Sequence, residues 1–158
     1  MSTSLEEKLG IITVEEAIKF FQEKYPRSDC RKLQIEHEGP YLKYEMIGND
    51  DNYRNILELN AQTGTVIKDK QKPLKEKDKA PMRKEKKVLN LEHLMSLTEI
   101  NKIALSQVEV DEPFQWELDR AKERTVWKVE LADHSGENIT EVKIDAQDGT
   151  VVQKKLKS

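Results

Sequence analysis

Cysteine is almost missing from this chain of 158 residues: Cys30 is the only one. An intramolecular disulfide and an all-cysteine metal site are therefore both excluded. Long apolar runs are missing too, with no segment near the roughly 18 residues that a membrane span requires. The opening "MSTSLEEKLGII" has neither a basic flank nor an apolar centre and is not patterned as a secretory signal. No G-x-S-x-G, P-loop, Rossmann or H-E-x-x-H spacing occurs. His37 and His134 sit in turn-like contexts and read as solvated. His93 adjoins apolar residues, and none of the three shares a helix face with another histidine. Acidic residues are spread throughout, so no carboxylate pair stands out as an acid/base couple. Nothing supports catalysis, and the chain is read as no enzyme and as needing no cofactor or metal.

What the chain has in quantity is charge, unevenly placed. Charged and apolar residues each make up 36%, so the apolar supply is thin and two small domains would each have a modest core. Residues 1–67 sum to −4, residues 68–87 to +6 and residues 88–158 to −5. Two acidic bodies flank a basic connector.

Those bodies repeat one another. "NAQTGTVIKDK" at Asn60–Lys70 returns as "DAQDGTVVQKK" at Asp145–Lys155. Laid gapless on Trp127–Lys155, the stretch Leu42–Lys70 gives eight identities in 29 pairs, against about two from ordinary residue usage. Upstream the offset becomes 83, placing Leu33–Ile35 on Trp116–Leu118 and Thr13 on Ser96. That change calls for two extra residues in the second copy, placed here between its first two strands. Thr13 with Glu16 and Ser96 with Glu99 have capping-box spacing. Val14, Ala17, Ile18, Phe21 and Tyr25 form one apolar helix face, closed by Pro26. The following segments alternate apolar and polar, as half-buried strands do. Each copy thus reads as a helix packed on a three-stranded antiparallel sheet, an α+β module. The modules span 11–70 and 89–158, joined by a basic linker at 71–88. Asn60 and Asp145 are placed to accept turn N–H groups, and Gly64 and Gly149 to take positive φ, so the repeated stretch is a structural turn. A calcium-loop reading of Asp145–Gly149 fails because no bidentate Glu stands at the twelfth position, which is Leu156. Trp116 and Trp127 fall on the strand positions of Leu33 and Leu42, which core packing explains.

With its opening helix, its "WKVEL" strand and its "IDAQDGTVV" hairpin, Ser96–Lys155 resembles the PepSY family, and Thr13–Lys70 resembles a more diverged tandem copy. The resemblance implies cystatin-like modules, found in propeptides of metalloproteases and in bacterial cell-surface proteins, often lipoproteins. It implies a peptidase or an envelope protein as partner, an extracytoplasmic location and tethering by a leader or anchor outside this chain, with a cytoplasmic protein as the alternative. It supplies no catalytic residues. Protein recognition, through an edge strand or the bare sheet face and bearing on a peptidase, is the reading that follows. The alternative is an envelope protein that binds polymer or lipid headgroups through its connector.

That connector, Lys68–Val88, is broken by Pro73 and Pro81 and dominated by lysine. Its candidate contact residues are Lys75, Lys77, Arg83, Lys84, Lys86 and Lys87, with Tyr41 added because it lies off the apolar phase of its strand. Interleaved acids and the lack of aromatics argue against nucleic acid.

Overall fold

The computed structural model of the protein describes residues 3–79 and 87–157. A short helix α1 (Leu5–Leu9) precedes α2 (Val14–Lys24), followed by strands β1 (Lys32–Glu38), β2 (Tyr41–Asn49), β3 (Tyr53–Asn60) and β4 (Val66–Pro73). A 3₁₀ turn lies at Glu76–Asp78. The second half holds α3 (Leu97–Leu105) and strands β5 (Glu112–Ala121), β6 (Arg124–Ala132), β7 (Ile139–Asp145) and β8 (Val151–Leu156). The fold is α+β, as the sequence indicated, but each half has four strands where three were expected. The added strands, β4 and β8, are exposed almost throughout and rich in lysine. They are the strands that leave the repeated turn, as its hairpin reading requires, but they lack the apolar alternation that marks a half-buried strand, and the count of three fell one short. Lysine on both outer edges also blocks pairing with other chains.

The halves were expected as modules on a connector; they share one antiparallel sheet, ordered β4-β3-β2-β1-β5-β6-β7-β8. The seam is the pairing of β1 with β5: Leu33 with Leu118, Gln34 with Glu117, Ile35 with Trp116. The apolar members of these pairs have 2% exposure or less, and one core cluster runs from Val14, Ala17 and Phe21 of α2 to Leu97, Ile100 and Ala104 of α3. Both helices therefore cover the same face. Helix α1 reaches across the seam, where the Leu5 N–H donates to Thr98 Oγ1 at 2.9 Å.

The helix starts follow their caps. Thr13 and Glu16 form both bonds of the box, whereas Ser96 accepts from the Glu99 N–H and no return bond forms. The repeated turn builds the platform beneath each helix entry. Asn60 Oδ1 accepts from the N–H of Gln62 at 2.9 Å, and Asp145 Oδ1 from that of Gln147 at 2.8 Å. Gly64 and Gly149 close the turns at φ 76° and 80°. Between them Ala61 and Ala146, fully buried, offer carbonyls to the N–H of Ile12 and Met95, both at 2.8 Å. The alanines recur because the chain entering each helix lies on them.

Strand register corrects the internal alignment. Ile35 faces Tyr44, and Leu118 faces Trp127, so the offset of 83 holds through β2 and β6. It becomes 85 only where Tyr44 faces Leu59 and Trp127 faces Ile144. The two extra residues lie in the β6–β7 hairpin, not between the first two strands of the second half. Trp127 is the counterpart of Tyr44 rather than of Leu42. Trp116 and Trp127 are both core residues.

Among the described residues the other sheet face carries no helix and is covered by ion pairs. Lys43 reaches Glu58 and Glu38 at 3.0 Å and Glu36 at 3.5 Å. Glu130 and Glu141 oppose one another across β6 and β7, and Lys157 lies between them at 2.6 and 3.5 Å. Burial pulls the Lys43 pKa down, but hydrogen bonds to Glu58 and Glu38 outweigh it, so the net shift is upward. Its contribution to stability is full below the ordinary lysine range and is lost as pH rises through the raised value. Lys43→Met leaves the Glu58 carboxylate, whose side chain is 11% exposed, with only the longer contact to Lys68 at 3.8 Å. Urea unfolding should show a loss of about 3 kcal/mol, and no loss would mean that the face is not held by this pair.

One core also predicts one transition. Both tryptophans lie in the second half, so their fluorescence reports that half while far-UV dichroism reports both. The two denaturation curves should coincide; a separate loss of ellipticity would show that the first half unfolds alone.

Candidate functional site

At one end of the sheet the first half forms a cleft of about 550 Å³, lined by Arg31, Asn49, Arg54, Lys72, Pro73, Leu74, Lys75, Lys77, Asp78 and Lys87. Six of these ten are cations and one is an acid. The strands set the row. Asn49 at the end of β2 faces Arg54 of β3, and Arg54 faces Lys72 of β4. Arg31 comes in beside them, its N–H bonded to the Ile47 carbonyl at 2.7 Å. The chain then turns over the row at Leu74, held by its N–H to the Asn52 carbonyl at 2.8 Å, and brings Lys75 and Lys77 to the rim.

Gly48 makes this packing feasible. A Cβ there would lie 1.8 Å from the Asp29 carbonyl oxygen, so only glycine admits the 28–29 segment against β2. Asp29 then orients two residues of the cleft. Its carboxylate takes the Arg31 guanidinium in a fork, Nε to Oδ1 and Nη2 to Oδ2 both at 3.1 Å. Oδ1 also accepts the Asn49 backbone N–H at 2.7 Å. Asn49 is 1% exposed. Its Oδ1 faces Arg54 Nε at 3.4 Å, and its Nδ2 has no hydrogen-bond partner. No carboxylate of the described residues forms an ion pair with Arg54, Lys72, Lys75, Lys77 or Lys87. Donors outnumber acceptors in the cleft, where Asp78 is the one acid among ten lining residues.

Of the residues expected to make contacts, Lys75, Lys77 and Lys87 line this cleft. Arg83, Lys84 and Lys86 lie outside the described residues. Tyr41 opens β2, pairs with Glu38 and does not line the cleft. The turn residues Asn60, Gly64, Asp145 and Gly149 line it no more than Tyr41 does. Asp145 spends Oδ1 on its turn and Oδ2 on Arg124 at 3.3 Å. Sequence reading missed Arg31, Asn49, Arg54 and Lys72. The available signal was Gly48, a glycine inside an alternating strand, which marks a close backbone approach.

The corresponding place in the second half is different. There the counterparts of Arg31, Asn49 and Arg54 are Phe114, Ala132 and Ile139. A depression of about 390 Å³ is lined by Phe114 and Ala132 together with His37, Val110, Glu112, Pro113, Asp133 and His134. Among the described residues no group of three His, Cys, Asp or Glu is placed to hold a metal. The Asp133 carboxylate is committed to Ser135 and Asn138, which hold it down at about 2. Cys30 is buried, and burial pushes its thiol up to about 12, which leaves it unreactive at neutral pH.

Gly48→Ala should lower stability by at least about 3 kcal/mol in chemical denaturation. An unchanged midpoint would mean that the 28–29 segment can withdraw and that the cleft is not fixed by this approach.

Residues 94–154 match the PepSY family model, described as "Peptidase propeptide and YPEB domain". The chain is similar in structure to a protein of Clostridium difficile 630 described as a putative lipoprotein, with a TM-score of 0.86 and 26% identity over 92% of this chain and 93% of that one. No protein of curated function matches the chain. No helix among the described residues is long and apolar enough to cross a membrane.

Proposed function

We propose that the protein, whose residues 94–154 match the PepSY family model, is a non-catalytic binding module that holds an anionic component of the bacterial cell envelope in its basic cleft. The observation that carries this reading is the row of Arg54 and Lys72, like charges set opposite one another with Asn49 alongside and no acid of the described residues paired to either cation. Like charges directly opposed across strands destabilise a sheet. Where they recur on this sheet, as with Lys128 opposite Lys143, each has a glutamate in reach, Glu117 at 3.7 Å and Glu141 at 4.0 Å. Arg54 and Lys72 have none among the described residues. An anion in the cleft supplies the missing countercharge. The extracytoplasmic setting rests on the likeness to a protein described as a putative lipoprotein.

Binding of this kind is electrostatic at the rim and weakens with salt, because exposed charges are screened over about 8 Å at physiological ionic strength. Full-length protein titrated with fluorescent polyglutamate and with polyphosphate should bind at least one of them at low salt. Arg54→Gln with Lys72→Gln should weaken that binding about tenfold or more. Absence of binding to both polyanions at low salt, or binding indifferent to the double variant, would remove the cleft as the site.

A second reading, regulation of a peptidase, is favoured by the family description itself, which names peptidase propeptides. It is separable from the first. Saturating inhibition of a thermolysin-like metalloprotease, retained at high salt and in the Arg54→Gln/Lys72→Gln variant, would place the activity on another surface and favour this reading over the cleft.

A further inference from the structure

The donor set of the cleft says more than that its ligand is negative. Resting on the anion-binding reading above, we propose that the cleft receives a phosphate ester, with the phosphate seated on Asn49 Nδ2 and the guanidinium groups of Arg54 and Arg31.

Three observations converge on this chemistry. The first is Asn49. A surface that merely attracts negative charge needs lysines at its rim, not an amide that is 1% exposed with an unpartnered Nδ2. Buried donors are almost always satisfied. Of the two left open among the described residues, Trp127 Nε1 lies in the core while Asn49 lines the cleft, so Asn49 points to an acceptor atom supplied from outside. Arg54 Nε lies toward Asn49 Oδ1, which fixes the amide with its nitrogen as the free end. The second is the choice of cation. A guanidinium fork matches the oxygen spacing of phosphate, which Arg54 can offer. Arg31, with Nε and Nη2 taken by Asp29, has Nη1 left to donate, and Lys72, Lys75, Lys77 and Lys87 add point charges around them. Arg31 is held in place by the Asp29 carboxylate, with side chains only 12% and 14% exposed, so little side-chain freedom remains to be lost on binding. A carboxylate offers two coplanar oxygens. A tetrahedral phosphate offers oxygens in several directions, so that Asn49, Arg54 and Arg31 can each donate to a different one. The third is size and lining. A cleft of about 550 Å³ exceeds what a bare phosphate fills, and Pro73 with the nearly buried Leu74 provides an apolar wall beside the cations. The carbon side of an ester fits that wall.

The repeat argues that these residues are not owed to the fold. The second half forms the same strands at the same place with Phe114, Ala132 and Ile139 where the first has Arg31, Asn49 and Arg54. A buried Asn with an open donor is replaceable by Ala in this architecture.

The test uses full-length protein at low salt, titrated calorimetrically with glycerol phosphate, a glycerol-phosphate oligomer and, as the carboxylate control, oligoglutamate of equal charge. Phosphate esters should bind about tenfold or more tighter than oligoglutamate, and the Asn49 side-chain amide signal should shift in the ¹H–¹⁵N spectrum. Arg54→Gln, at an exposed position, removes one donor without touching the core and should lose most of that preference. Asn49→Ala should lose it too, and its melting temperature shows whether the variant remains folded. Oligoglutamate binding as tightly as the esters, or an unmoved Asn49 amide at saturation, would overturn the phosphate assignment while leaving the anion-binding reading in place. Failure of every anion to bind would overturn both. Sedimentation with phosphatidylglycerol vesicles, but not with phosphatidylcholine, would identify a lipid headgroup as the source. Binding of the soluble oligomer with the vesicles left free would identify a soluble or polymeric ester.

Discussion

The pairing of β1 with β5 is the contact on which the rest of this molecule depends. Only three residue pairs make it, yet they turn two four-stranded sheets into one of eight and join two small cores into a continuous one. For a chain with so few apolar residues the gain is large. Either half alone would leave Leu33 and Ile35, or Trp116 and Leu118, on an unprotected edge, and small domains bury too little surface to tolerate that. The seam also decides where the free edges go. Joining through β1 and β5 leaves β4 and β8 outermost, and these are the strands whose lysines keep other chains away.

Much of this was legible in the sequence, and the reasons are particular. The helices announced themselves through Thr13, Ser96 and the stripe ending at Tyr25. The inner strands did so through alternation, and the turns through Asn60–Gly64 and Asp145–Gly149. The seam was not legible, because the residues that form it also serve as ordinary core residues of one half. Leu33 and Trp116 read as inward-facing in a small module, and nothing in their spacing says that the next strand comes from the other copy. The edge strands were legible only through the turn before them, for the opposite reason. A fully exposed strand such as Val66–Pro73 has no buried face to give it a period. The alignment slipped by two because Lys43/Lys128 and Glu45/Glu130 are identities that two charged, alternating strands produce in more than one register.

The cleft was half legible. Excess lysine after residue 67 pointed to its rim, and Lys75, Lys77 and Lys87 line it. Its floor was invisible, since Arg31, Asn49 and Arg54 come from three separate elements and carry no motif. Gly48 was the one trace of it. A strand glycine says that something approaches the backbone, without saying that the approaching segment carries an Asp able to orient an Arg and an Asn.

A tandem repeat provides its own control for deciding which residues the fold needs. Where both copies keep a feature, as with Ala61 and Ala146 beneath the helix entries, packing accounts for it. Where one copy has a feature that costs stability and the other does without, packing cannot be the reason. Arg54 and Lys72, opposed with no acid of the described residues beside them, and Asn49, whose open donor lines a cleft, are both of this second kind. The opposed Lys128 and Lys143 of the second half have Glu117 and Glu141 in reach, and its open buried donor, Trp127 Nε1, lies in the core. The counterparts of Arg54 and Asn49, Ile139 and Ala132, show that the same strands close without them. The two unfavourable arrangements also lie side by side, and both are relieved by the same thing, an acceptor-bearing anion. Independent packing faults would have no reason to share a remedy. That coincidence separates a binding site from a tolerated defect, and it gives the first half a task that its sheet alone does not explain.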